Sequence, residues 1–142
     1  MILTSISLSQ FRNFSKQSFS FDSKLTFIIG PNSIGKTNLL EAIYFLLSGV
    51  GVKEERQEEL LKFGESSSTI GGTISENGDD IKLDVFLEKK ENIEKKFFVN
   101  KLNKTYVSYL KETIPAVFFA PQRIEILTRS PSSRRSSRVR AR

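Results

Sequence analysis

Near the N-terminus Ile2, Ile6 and Leu8 are spaced by Ser and Thr, and Phe19 and Phe21 alternate with polar residues within 14–21. A period of two marks a strand with one buried face, so these patterns predict two strands joined as a hairpin or meander. Residues 25–29 (LTFII) are apolar at every position but one. That predicts a strand buried on both faces within a central sheet. The period then changes. Leu39, Leu40, Ile43, Leu46 and Leu47 recur at helical spacing and predict an amphipathic helix over 35–47, stopped by SGVG at 48–51. The charged stretch 53–63 (KEERQEELLKF) reads as a short helix with a Glu58–Lys62 pair and Gly64 as its stop. Residues 68–99 return to alternation, cleanest at 81–87, and predict a β-meander with a turn at Asn77-Gly78. A polar turn at 100–104, a short helix at 107–111 and a buried strand at 115–120 complete the series. There are no internal repeats.

Composition narrows the function classes. The chain has 142 residues, the size of one domain, with twelve Phe, three Tyr, no Trp, no Cys and no His. Disulfides, thiolate metal sites and a histidine base are excluded, which fits a cytoplasmic protein. No signal peptide is evident, and no apolar run is long enough to span a bilayer, so no membrane partner is expected. The net charge of +6 is local: residues 1–122 carry 15 basic and 15 acidic residues, whereas residues 123–142 carry seven Arg and one Glu. The body is therefore not a basic nucleic-acid module by composition. Residues 129–142 (RSPSSRRSSRVRAR) contain too few apolar residues for a core and are expected to be disordered in isolation. The folded domain is expected over 1–128.

Between the apolar run 25–29 and the amphipathic helix stands GPNSIGKT, residues 30–37. A glycine, four residues, then Gly-Lys-Thr is the phosphate-binding loop pattern, here in its strand–loop–helix context. Gly30 turns the chain out of the strand, and Gly35 lets the backbone approach phosphate. The amides of Ser33, Ile34, Gly35 and Asn38, with the positive end of the helix, meet phosphate oxygens. Lys36 reaches the β- and γ-phosphates, and Thr37 offers a hydroxyl to Mg²⁺. Pro31 and Asn32 complete the loop. Ser33 occupies a position where many such loops carry another Gly. Glu41 either helps order the site or is a solvated helix residue. Arg12 and Asn13 read by spacing alone as an ordinary hairpin turn with a solvated Arg.

The order SLSQFRNF at 7–14, then a strand, then GPNSIGKTNLLEAIY at 30–44, resembles the N-terminus of the RecF family of DNA replication and repair ATPases, of the ABC/SMC-like class. RQEELLKFG at 56–64 and the segment running to SPSSRR at 130–135 look like further family segments. The resemblance implies an α/β fold: a P-loop NTPase half-domain of the ABC/SMC-like head, with a mixed sheet and a β-meander lobe at about 66–100. It implies ATP and Mg²⁺ as cofactors and nucleotide contacts from Arg12 and Asn13, reversing the reading by spacing. It places Gln122 near the metal and γ-phosphate. For the intact family it implies an ATP-dependent homodimer, binding to gapped or single-stranded DNA, a role in the SOS response, and loading of RecA with RecO and RecR.

The departures matter. The family's signature motif, Walker B acids, D-loop and switch histidine are not in this chain, so efficient ATP hydrolysis by it alone is not expected. Arg123 and Arg129 replace the family's usual Asp and Gly, and an Arg-rich tail follows Arg135 where the family continues as a helix. That end reads as a truncation, frame change or sequence error, with a phosphate-binding tail as the functional alternative. Apolar surface left without partner strands is expected to limit solubility. Two rivals remain: another SMC-like ATPase, and a nucleic-acid-binding polypeptide acting through its tail.

Overall fold

The computed structural model describes residues 1–52 and 57–119. Its elements are β1 (Ile2–Phe11), β2 (Phe14–Ser20), α1 (Lys36–Ser48), a 3-10 turn (Gln57–Leu60), β3 (Ser67–Glu76), β4 (Asp79–Lys89), β5 (Ile93–Val99), β6 (Leu102–Lys104) and α2 (Tyr106–Leu110). The strands form one sheet in the order β2-β1-β3-β4-β5-β6, with every neighbouring pair antiparallel. The expected meander is present and continuous with the N-terminal hairpin, which pairs to it through β1 and β3. Its turns follow local chemistry. Asn77 and Gly78 both take positive φ, 53° and 98°, as a tight two-residue hairpin requires. Asn100 and Lys101 do the same at 49° and 67°.

Alternation sorts the faces. Ile6 and Leu8 of β1, Ile70 and Ile74 of β3, Leu83, Val85 and Leu87 of β4, and Phe97 and Val99 of β5 are buried on one side. They meet Leu39, Ala42, Phe45 and Leu46 of α1 and Tyr109 of α2 in one core. A Cβ at Gly72 would lie 2.4 Å from Leu46 Cδ2, so the missing side chain is what lets α1 settle onto β3. Gly49 ends α1 with φ 68°, its N–H donating to Phe45 O.

Three expectations are corrected. Among the described residues, 25–29 and 115–119 belong to no strand of the sheet. Ile28 and Ala116 pack on the core, whereas Phe27, Ile29 and Val117 are largely exposed. Two-sided burial needs neighbours on both sides, and here the exposed side chains lack them among the described residues. The helix expected over 53–63 is, where described, a single 3-10 turn followed by one isolated β-bridge at Leu61. Leu61 bridges Phe11, Lys62 N donates to Gln10 O, and the Lys62 ammonium hydrogen-bonds Ser15 rather than Glu58. Glu58 pairs with Lys89 instead, at 3.3 Å. Finally, Leu39, Leu46 and Leu47 of α1 are buried and Ile43 packs on the core as expected, but Leu40 is exposed while Glu41, Ala42 and Phe45 are buried. No described helix is long and apolar enough to cross a membrane.

Candidate nucleotide-binding site

The segment 30–37 leaves the loop at Gly35, the N-cap of α1 at φ 107° and ψ 15°, and its last two residues, Lys36 and Thr37, open the helix. No side chain caps the helix, and its first turn holds no acidic residue. The first amides of a helix have no acceptor within it; here the first intrahelical bond at the loop runs from Leu39 N to Gly35 O at 2.9 Å. The positive end of α1 is thus presented without a competing carboxylate at its cap. Pro31, Asn32, Ser33, Ile34 and Thr37 are exposed around it. Ser33 sits at φ 69°, in the left-handed region that glycine occupies without cost.

Lys36 folds back across the loop. Its Nζ donates to Gly30 O and to Pro31 O, both at 2.7 Å. The ammonium is therefore stationed inside the loop's own ring of atoms, held by carbonyls that a phosphate oxygen would supplement or replace.

The β1–β2 hairpin turn lies against this loop. Asn13 Nδ2 donates to Ile34 O at 3.2 Å, and Asn38 Nδ2 donates to Asn13 Oδ1 at 2.8 Å. Asn13 thus clasps the loop to the start of α1. A Cβ on Gly35 would fall 2.6 Å from Asn13 Nδ2 and 2.9 Å from Phe14 Cζ, which explains the glycine through the hairpin as well as through phosphate.

Arg12 is not a solvated turn residue. One amino group meets Glu41 Oε2 at 2.8 Å and the other meets Glu59 Oε2 at 3.5 Å. Its Nε is buried and has no acceptor among the described residues. Glu41 is only 7% exposed, so the solvated-residue reading of it is corrected. Sequence reasoning missed Glu59 as well. A usable signal was the helical face through Ala42, Phe45 and Leu46, which turns position 41 inward; an acid there requires a partner. Between the hairpin turn, the start of α1 and residues 58–65 opens a recess of about 600 Å³, lined among others by Arg12, Asn13, Asn38 and Lys62.

Among the described residues no cluster of three acidic side chains could cage a metal ion. Thr37 stands exposed at the start of α1. Gln122 and the tail from 129 lie outside the described residues.

The family described as the RecF/RecN/SMC N-terminal domain matches residues 2–122. A "DNA replication and repair protein RecF" of Agathobacter rectalis is 36% identical over 135 residues, covering 95% of this chain and 37% of that protein. Among solved structures, one of "the recombination mediator protein RecF-ATP in RecFOR pathway" superposes with a TM-score of 0.79 at 32% identity, over 96% of this chain and 36% of that one. A structure described under "ATP-driven dimerization and DNA stimulated activation of SMC ATPases" superposes with a TM-score of 0.77 at 17% identity, over 95% of this chain and 96% of that one, and shares the fold. The chain thus spans little more than a third of the length of the RecF relatives it matches. It belongs to the RecF/RecN/SMC N-terminal domain family, with the fold of an ABC/SMC-like P-loop ATPase head, and the relatives it resembles there are RecF proteins.

Proposed function

We propose that this chain binds ATP, with Mg²⁺, through residues 30–38, and that it serves a RecF-type protein in DNA replication and repair. The observation that carries the reading is the loop itself. Lys36 is stationed across it at 2.7 Å from two loop carbonyls, over the uncapped N-terminus of a 13-residue helix. Such a terminus offers amide donors and a positive field to an anion. Lys36 adds a mobile point charge for the β- and γ-phosphates, and Thr37 a hydroxyl for the metal. Arg12 and Asn13 stand on the hairpin turn against the loop. The 36% identical RecF relative and the RecF–ATP structure support this assignment.

Beyond the nucleotide, the reading extends to an ATP-dependent homodimer acting on gapped or single-stranded DNA, with RecR and RecO as partners and RecA as the protein loaded. The family resemblance, the RecF relative and the RecF structure of the RecFOR pathway support that extension. The net-neutral body of the chain adds no electrostatic argument for DNA contact.

Titration with a fluorescent ATP analogue (mant-ATP) and Mg²⁺ tests the core of the proposal. Lys36→Ala removes the ammonium and its hydrogen bonds to Gly30 O and Pro31 O, and Lys36 is not part of the buried core. Affinity is expected to fall at least tenfold, with the urea midpoint little changed. Equal affinity in wild type and variant would remove the loop from the function.

A further inference from the structure

Arg12 has two unequal carboxylate partners, and the inequality has a use. It sits in the two-residue loop between β1 and β2 at φ 53°, where glycine is usual, and Gln10 is also left-handed at 52°. Strained backbone of this kind persists only where its surroundings hold it. Here residues 57–62 hold it: Arg12 N donates to Leu60 O at 3.0 Å and Lys62 N to Gln10 O at 2.8 Å. The Glu41 arm is short, 2.8 Å, and its carboxylate side chain is 8% exposed; the Glu59 arm is 3.5 Å, with a side chain 44% exposed. Breaking the buried arm would strand a charge, whereas an exposed contact is worth little. The guanidinium also keeps a buried Nε that finds no acceptor among the described residues. It is thus anchored from one side and only loosely neutralised from the other, next to the Asn13 clasp on the phosphate loop.

We infer that Glu41 is a positioning residue that holds Arg12 beside the loop, and that Glu59 is an exchangeable counter-charge which the phosphates of a bound nucleotide displace from Arg12. This rests on the nucleotide-binding reading. Occupancy of the loop then weakens the tie between the hairpin turn and residues 57–62, and Glu59 restrains nucleotide affinity in the empty state.

The test is Mg²⁺–mant-ATP titration of the full chain, wild type and five variants: Arg12→Gln, Glu41→Gln, Glu59→Gln, and Arg12→Gln combined with each glutamate change. Lys36→Ala runs alongside. Losing an exposed competitor should tighten binding about two- to five-fold in Glu59→Gln. Glu41→Gln should weaken binding about fivefold or more. In the Arg12→Gln background both effects should vanish. A purely structural role for either acid would persist there, as would direct repulsion between Glu59 and phosphate. The inference is overturned if Glu59→Gln binds no tighter than wild type while Lys36→Ala loses binding, or if either effect survives in the Arg12→Gln background. Unchanged binding by Lys36→Ala overturns the underlying reading instead. Glu59 is exposed enough that its variant folds, so it carries the test even where Glu41→Gln does not.

Discussion

Gly35→Ala tests whether the loop geometry is as argued. At φ 107° the alanine must adopt a backbone conformation that costs an L-residue roughly 1–2 kcal/mol. Its Cβ would also stand 2.6 Å and 2.9 Å from the two amide atoms of Asn13. The Asn13 side chain can swing aside only by giving up its bonds to Ile34 O and from Asn38. Each is worth about 0.5–1.5 kcal/mol net. The two contributions together predict a loss of about 2–5 kcal/mol. That is a large share of the roughly 5–15 kcal/mol by which domains are stable. The assay is urea unfolding followed by far-UV circular dichroism, since the chain has no Trp. Ser33→Gly is the matched control. Its φ of 69° is strained for Ser and free for Gly, so stability should hold or rise by up to about 1 kcal/mol. Mant-ATP affinity should fall in the first variant and persist in the second. A Gly35→Ala variant within about 0.5 kcal/mol of wild type would refute both the clash and the role assigned to Asn13.

Two further predictions concern the frame that holds the site. Tyr109 is fully buried, and its hydroxyl donates to Leu46 O at 2.6 Å, in the last turn of α1. The amide that would otherwise serve that carbonyl, Val50 N, donates to Ser48 Oγ instead. Tyr109→Phe should therefore cost about 1–3 kcal/mol, read as a lower urea midpoint at unchanged slope. Burial raises the Asp84 carboxyl above its ordinary 3.8, with Lys82 opposing. A folded pKa above the unfolded one means stability present at low pH that is lost as pH rises through the folded value. Asp84→Asn should thus be more stable than wild type at pH 7, with the gap closing as pH falls toward 4. A gap that widens on acidification would contradict that assignment.

The legible parts of the chain were those whose information is local. Asn77-Gly78 specifies its turn, alternation over 81–87 specifies β4, and the spacing of glycines with Lys-Thr specifies the loop, because each acts over a few residues. The spacing of α1 places Leu40 on the buried face and leaves out Ala42 and Phe45, because several helical faces share Leu39 and Leu46. Residues 25–29 failed differently. Their composition reports burial on both sides, but composition does not name the neighbours. Ile28 finds the core, while Ile29 is 90% exposed.

The ion pair at the centre of the site was the least legible, and for a physical reason. Arg12 and Glu41 are 29 positions apart, and Arg12 and Glu59 are 47 apart. No periodicity connects them; they meet because β1 turns back at Arg12-Asn13 just where α1 begins. An arginine in a tight turn and an acid on a helix are each unremarkable alone. Together they are informative, since a buried carboxylate left without a cation is strongly destabilising. The same topology brings Asn13 onto Ile34 and Asn38. A single two-residue hairpin turn therefore supplies both the clasp on the phosphate loop and the charge beside it. That arrangement explains why the turn tolerates φ 53° at an arginine: shortening the strain by Arg12→Gly would relax the backbone and remove the cation at once.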